Sequence, residues 1–368
     1  MKKKILQINH GYDAPFLDVS NQYASLFNEE FEVTTLFLKG DESEFVKENA
    51  IGDNIIFFEA KTKELRGLKL NLIFRIVKLL KENDYDMIIA HRYKPIFVAC
   101  LARFIASSAA TIVGVAHGYD VFKSWSHQKF VSFFRKNLHI IGVSKAIKED
   151  IDQYLNKYNF KNTYSLPNCV NVKELQNKQL SKIEARKHLD LKDENFIIGT
   201  VGRIHPEKDQ KTLISAFAEV ADKLPNAKLM IYGKGKLEKQ LSEQIDSLQM
   251  KDKIILAGFV DSIPKYYAAF DLFVLPSTIE PFGMVLIEAM AAEVPVISSK
   301  SGGGQEVVAN NDLLFEIGGV AELAKKLEIA YNWSNEKREE YISSATEKLN
   351  INYSQEAFNN TFWNYKIK

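Results

Sequence analysis

The sequence predicts an α/β protein made of two Rossmann-like domains, each a doubly wound parallel sheet. Short apolar runs alternate with longer stretches of helical spacing, the pattern of strands covered on both faces by crossover helices. At 368 residues the chain is too long for one ordinary core and comfortable for two. Its second half repeats the plan of its first, with no short-period repeat and no low-complexity segment.

In the first half, 4–9, 32–38, 54–59, 87–91, 112–117 and 140–144 read as strands; 18–28, 66–82, 95–105, 124–136 and 145–156 read as helices. The lysines at 2–4 have the charge of a secretion signal but no apolar core behind them, so they open a strand. Pro95 to Ala116 comes nearest to a membrane span. Arg103 and Ser107-Ser108 interrupt it, and it reads as a buried helix followed by a buried strand. The second half has strands at 196–202, 228–232, 254–257, 272–275 and 295–298, with helices between. A join near Leu166-Pro167-Asn168 sets the domains at 1–167 and 168–353. Residues 354–368 read as a last helix with Phe358, Phe362 and Tyr365 on one face.

The composition, 46% hydrophobic and 26% charged, is that of a soluble globular protein. A net charge of +1 argues against a nucleic-acid binder driven by phosphate neutralisation. Residues 1–170 hold 23 Lys and Arg against 19 Asp and Glu. The excess concentrates in Arg66–Lys81 and Lys123–Lys136, each basic and partly aromatic. Such helices either lie on anionic lipid or pack one side on a sheet with solvated lysines outside. Two cysteines, Cys100 and Cys169, cannot make a disulfide framework, which points to a reducing cytosol.

Ligands of such sheets bind at the carboxyl ends of strands. That rule selects His10-Gly11, His91, His117-Gly118 and Ser144 from the first domain, and Arg203, Gly233, Gly258 and Glu280 from the second. These two sets are expected to face one another across a cleft. Asp84-Tyr85-Asp86 has the spelling of a metal-binding Asp-x-Asp motif, but it precedes its strand and reads as turn and strand-start residues. No His/Cys/Asp spacing of a zinc site occurs, so nothing supports a metal site built from these histidines.

The most informative stretch is Glu280-Pro281-Phe282-Gly283-Met284 through Glu288-Ala289-Met290-Ala291. It follows the strand 272–275, and the segment after Pro281 has helical spacing with proline at a first-turn position. The unpaired N–H groups and positive dipole end at a helix start favour an anion, and Gly283 lets a phosphate approach the backbone. Glu280 and Glu288, eight residues apart, lie about 12 Å apart along one helix at ~1.5 Å per residue. Retaining glycoside hydrolases need two carboxylates about 5 Å apart, so this pair cannot work that way.

These residues resemble the signature of retaining glycosyltransferases of the GT-B fold, in particular glycosyltransferase family 4 (glycosyl transferases group 1). Gly199-Thr200-Val201-Gly202-Arg203 with Lys208, then Tyr232-Gly233-Lys234-Gly235, Gly258-Phe259-Val260 and Ser301-Gly302-Gly303-Gly304-Gln305-Glu306, resemble its other blocks in the same order. The resemblance covers residues 196 to 308. It implies a nucleotide-sugar donor domain at 168–353 and an acceptor domain at 1–167. It further implies that Arg203 and Lys208 contact the donor diphosphate, without metal or cofactor, that Glu280 binds sugar hydroxyls, and that Glu288 takes the ribose hydroxyls. The backbone of Phe282, Gly283 and Met284 lies behind Glu280, and Gly11, Gly233, Gly258 and Val260 complete the donor-binding set. His117 resembles the family's cleft histidine and would polarise the sugar, while Glu306 is a donor-side candidate. The implied donor is a UDP-sugar, and the acceptor a glycan or lipid-linked hydroxyl in bacterial surface polysaccharide assembly, at the cytoplasmic face of the inner membrane.

Two alternatives are a nucleotide-sugar epimerase of the same plan and a non-catalytic glycan-binding relative. A dinucleotide dehydrogenase lacks its glycine fingerprint after the first strand. The chain also departs from the resemblance. Gly11 stands alone where many relatives carry paired glycines. Asn168-Cys169-Val170-Asn171 replaces a block that usually reads Asn-Gly-Val-Asp, so a different turn is expected there.

Overall fold

The computed structural model describes residues 2–13 and 16–367. The chain divides into two compact units, Met1–Asn168 with Phe358–Lys368, and Cys169–Ala357.

In the first unit, β1 (Lys3–Asn9), β2 (Phe31–Phe37), β3 (Asn54–Phe57), β4 (Met87–His91), β5 (Thr111–Ala116), β6 (Leu138–Gly142) and β7 (Thr163–Ser165) form a parallel sheet ordered β3-β2-β1-β4-β5-β6-β7. Every residue of β4 is buried, as expected of a strand covered on both faces. The chain leaves β1 in one direction and returns at β4 to build in the other, so these neighbours mark the topological switch point. Asp86 caps this pair, its carboxylate accepting from the Lys4 N–H at 2.8 Å. The Asp84-Tyr85-Asp86 stretch is thus strand-start structure.

In the second unit, β8 (Phe196–Val201), β9 (Ala227–Tyr232), β10 (Ile254–Gly258), β11 (Leu272–Leu275), β12 (Val296–Ser299) and β13 (Leu314–Phe315) form a parallel sheet ordered β10-β9-β8-β11-β12-β13. Here the switch point lies between β8 and β11. Asp271, just before β11, accepts from Arg186 Nη2 and from the Ile197 N–H, both at 2.7 Å, and so ties helix Lys182–His188 to the sheet.

Helix Gln355–Asn364 closes the chain. Its Phe358 ring meets Tyr23 at 5.1 Å, its Phe362 ring meets Phe27 at 6.4 Å, and Trp363 Nε1 donates to the Leu26 carbonyl. Phe358 and Phe362 are fully buried, worth about 1.5–3 kcal/mol each.

Several boundaries differ from the sequence reading. The helix expected over 66–82 begins at Leu70, because Gly67 and Lys69 take left-handed φ angles of 58° and 55°. The helix expected over 124–136 ends at Phe133. Strands β7 and β13, of three and two residues, lie at sheet edges, and helix Glu44–Asn49 rests on a Ser43 cap. These three elements have no periodic apolar run to announce them. At the join, Cys169 is buried with ordinary negative φ, and Asn171 caps helix Val172–Lys178 by accepting from the Glu174 N–H. The change to cysteine is accommodated because the capping oxygen is kept at Asn171.

Candidate functional site

At the second unit's switch point, β8 runs into a loop held by its neighbours. The Gly202 N–H donates to the Tyr232 carbonyl, Ile204 N–H to Lys234, and Gly233 N–H to Gly258 at 2.7 Å. Loops after β8, β9 and β10 are therefore laced side by side, which places Gly233 and Gly258 in one layer. Val260 lies two residues beyond, half-buried. The β8 loop then makes one tight turn, Pro206–Lys208, before Asp209 caps helix Gln210–Val220. That turn delivers Lys208 to Glu280: Nζ lies 2.6 Å from Oε2. Ser277 Oγ donates to the same oxygen at 3.1 Å. The two loops are also tied by backbone, Thr278 N–H to the Glu207 carbonyl at 2.8 Å. Glu280 is 7% exposed, so its charge is tolerable there because it is paired. Arg203 sits on the same loop with its side chain exposed and its carbonyl held by Gln210.

Glu280 is not on a helix. It forms an isolated parallel bridge with Gly302, whose neighbour Gly303 donates its N–H to the Glu280 carbonyl at 2.9 Å. A Cβ on Gly303 would come within 2.3 Å of the Pro281 carbonyl oxygen, so only glycine lets the two loops meet. The helix spans Met284–Ala291. Gly283, at φ 100°, is its N-cap and turns the chain into it, which leaves Pro281 outside the first turn. No side chain caps this helix start, which leaves its first amides without a side-chain acceptor. Phe282 is buried against Tyr353, so only its backbone can meet a ligand. Because Glu280 precedes the helix by four residues, the axial rise does not measure its distance from Glu288. Glu288 lies in the second turn and accepts from the Tyr267 hydroxyl at 3.2 Å. Tyr267 is fully buried, and burial with the adjacent carboxylate pushes its ionisation well up, keeping the phenol a donor. Glu306 lies on the short helix Gly303–Val307, its carbonyl held by the Tyr353 hydroxyl.

At the first unit's switch point, histidines collect. His10 and Gly11 follow β1, His91 ends β4, and His117 follows β5. Nδ1 of His91 lies 3.1 Å from Nε2 of His117. The Tyr23 ring stands edge-on to His91 at 5.0 Å, and Phe16 edge-on to His117 at 6.1 Å. Arg92 is held at φ 74°, ψ 165°, a region nearly confined to glycine that costs about 1–3 kcal/mol. Its guanidinium lies 3.5 Å from the Phe16 ring centroid. Burial, then Arg92, holds His117 down to about 3; burial, then Lys94, Arg92 and Lys39, holds His10 at about 4. Burial, His117 and Arg92 likewise hold His91 well below its ordinary range. All three rings are neutral at pH 7.

Two family models match the chain, Glycosyltransferase Family 4 over residues 21–174 and Glycosyl transferases group 1 over residues 181–348. Between them the two models cover most of the chain, which belongs to the glycosyltransferase families of the GT-B fold. An uncharacterized glycosyltransferase of Methanocaldococcus jannaschii is 30% identical over 62% of this chain and 61% of its own length, so the match spans under two thirds of that relative. N-acetyl-alpha-D-glucosaminyl L-malate synthase of Bacillus anthracis is 25% identical over 83% of this chain and 84% of its own. The crystal structure of Anabaena HepE in complex with UDP superposes with a TM-score of 0.79 at 22% identity, covering 99% of both chains.

The glycosyltransferase blocks account for Lys208 and Glu280 but not for the groups that hold them. Ser277 stands three residues before Glu280 and its hydroxyl could have been suspected from that spacing. Tyr267, behind Glu288, and Arg92, beside His117, carry no sequence signal of their own, and His91 is marked by its place at a strand end but not by its contact with His117. Their partners lie 21 to 26 residues away and are brought together by strand order.

Proposed function

We propose that this glycosyltransferase is a retaining enzyme that moves a sugar from a nucleoside diphosphate donor, a UDP-sugar, to a hydroxyl of a glycan or lipid-linked oligosaccharide in bacterial surface polysaccharide assembly. One observation carries the reading: the Lys208–Glu280 pair stands at a switch point, four residues before an uncapped helix start. As the sugar C1–O bond breaks, negative charge grows on the leaving phosphate, where a cation or an amide dipole lowers the barrier more than it tightens the ground state. Lys208, Arg203 and the amides of Gly283 and Met284 supply that charge from the protein itself, so the reaction needs no metal. Glu280 holds sugar hydroxyls and keeps Lys208 in place. Glu288, braced by Tyr267, accepts the ribose hydroxyls, and His117 hydrogen-bonds the sugar. The acceptor oxygen bonds to C1 on the face the phosphate leaves, and its proton passes to a leaving phosphate oxygen. HepE, whose structure holds UDP, favours a UDP donor.

A panel of nucleotides and nucleotide sugars, read by thermal shift in chelator, tests this. A ligand at 100 times its Kd adds roughly 2.7 kcal/mol. UDP and one UDP-sugar are expected to stand out, and a flat response across the panel rejects the reading.

Peripheral contact with an anionic membrane belongs to the same proposal. From Val121 to Lys148 there is no Asp or Glu, against six Lys and Arg. Within that stretch Trp125 and Phe133 are 67% and 70% exposed, and Phe133 meets exposed Phe104 at 6.4 Å. Aromatic rings beside lysines suit the headgroup layer. No helix among the described residues is long and apolar enough to cross a membrane. Changing Lys129, Arg135 and Lys136 together to Glu should abolish sedimentation with phosphatidylglycerol vesicles. Unchanged sedimentation removes this surface as the contact.

A further inference from the structure

Two rings that share a short nitrogen–nitrogen contact must hold one proton between them when both are neutral. For His91 and His117 the contact is 3.1 Å, while the ring centroids lie 5.3 Å apart at an interplanar angle of 24°. Rings lying face over face would bring their centroids much closer than that. The two imidazoles therefore meet edge to edge and nearly coplanar, the geometry of an in-line hydrogen bond. The remaining question is which nitrogen owns the proton, because the answer decides what the outer edge of His117 offers.

The other end of His91 decides it. His91 is 4% exposed, and its Nε2 has no hydrogen-bond partner among the described residues. Were the proton on His117 Nε2, His91 would accept at Nδ1 and carry its own proton on this isolated Nε2. A buried N–H without a partner is rarer and costlier than a buried lone pair without one. Placing the proton on His91 Nδ1 leaves only a lone pair at Nε2. The cavity beside it, lined by Asn9, His10 and His91 among others, measures about 10 Å³, at the lower limit for one water. A water seated there could accept from an Nε2–H as readily as donate to a lone pair, so the assignment holds for a dry cavity. Tyr23, itself edge-on to Phe358, fixes the plane of the His91 ring.

We propose that His91 is a positioning residue: its Nδ1–H donates to Nε2 of His117, and this holds His117 in the tautomer that carries its own proton on Nδ1. His117 then faces outward as a hydrogen-bond donor and never as an acceptor. The consequence for catalysis rests on the reading of His117 as the sugar-facing histidine; the tautomer does not. A donor there suits an oxygen of the transferred sugar, and fixing the tautomer beforehand removes a step of reorganisation when the bond breaks.

The test is long-range ¹H–¹⁵N correlation spectroscopy of the full chain labelled in histidine, at pH 7. Both rings are expected neutral and protonated on Nδ1, the form that free neutral imidazole disfavours. H91N, whose amide nitrogen stands near the place of Nδ1, should keep His117 in that form. H91L should return it to the Nε2–H form. A wild-type His117 protonated on Nε2, or one unmoved in H91L, overturns the proposal, and if H91L does not fold the wild type and H91N still decide it. On turnover, H91L should lose roughly 10- to 100-fold in kcat with KM unchanged, the range seen where a group fixing a histidine tautomer is removed, and H91N should recover most of it. Should His117→Ala leave turnover intact, the sugar-facing role falls while the tautomer result stands.

Discussion

The two switch points occupy the same place in two sheets and are built from opposite chemistry. In the first unit, β1, β4 and β5 end in three histidines that burial and neighbouring cations hold neutral. In the second, β8 and β11 lead to an ion pair with a 2.6 Å contact and an uncapped helix start. The fold supplies the location twice, and the few residues after each strand decide what is done there. Neutral imidazoles can orient hydroxyls, whereas a lysine beside an uncapped helix start suits a diphosphate. On the proposed reading, the second unit binds the charged donor and the first supplies the acceptor and sugar-facing groups.

The largest effect that separates the two regions should come from Glu280→Ala. On the proposed reading the carboxylate both holds sugar hydroxyls and neutralises Lys208, so its removal has two opposed consequences. Turnover should fall by roughly 100-fold or more, the scale of losing one group aimed at the reacting centre. UDP, measured by calorimetry, should bind at least as tightly, because Lys208 loses its competing anion. The unliganded protein should also melt lower, since a lysine at 22% side-chain exposure is left unpaired. Loss of UDP binding together with turnover would show that Glu280 serves the nucleotide end, not the sugar end.

Glu288→Ala should do the reverse and do less. Removing an acceptor of ribose hydroxyls should weaken UDP binding by about 10-fold, near the 1.5–3 kcal/mol of a hydrogen bond to a charged group. The kcat at saturating donor should hold. The buried Tyr267 hydroxyl loses its partner as well, so the change in melting temperature reports that bracing separately. Equal loss of kcat and affinity would mean that Glu288 touches the reacting end.

How much of this was visible beforehand depends on how far apart the partners lie. Strands such as β4, β5 and β11 are buried on both faces and announce themselves as unbroken apolar runs. The start of helix Met284–Ala291 was misplaced because Gly283 alone sets it: a φ of 100° excludes Pro281 from the helix, and spacing of apolar residues does not encode φ. That error also put Glu280 on the helix with Glu288, which removes the helical rise as the measure of their separation. Glu280 and Lys208 stood out as chemistry-bearing residues in recognisable blocks, but their contact depends on the Pro206–Lys208 turn and on Thr278 bonding Glu207, which no local pattern announces. His91 and His117 are 26 residues apart and meet only because β4 and β5 pair with His91 opposite Val115.

The smallest expected effect is on stability, and it belongs to the first unit alone. His10 and His117 are held at about 4 and about 3, below the ordinary 6.5, and His91 is lowered in the same direction. For a base whose folded value is depressed, the unfolded chain binds more protons at acid pH. Stability is therefore fully present above about pH 6.5 and is lost as pH falls from there toward 4. Urea midpoints should fall between pH 7 and pH 5. His91→Asn, which removes one of the three titrating rings while keeping its donor, should flatten that slope. An unchanged slope in the variant would place the pH dependence outside the histidine cluster and erase the contrast between the two sites.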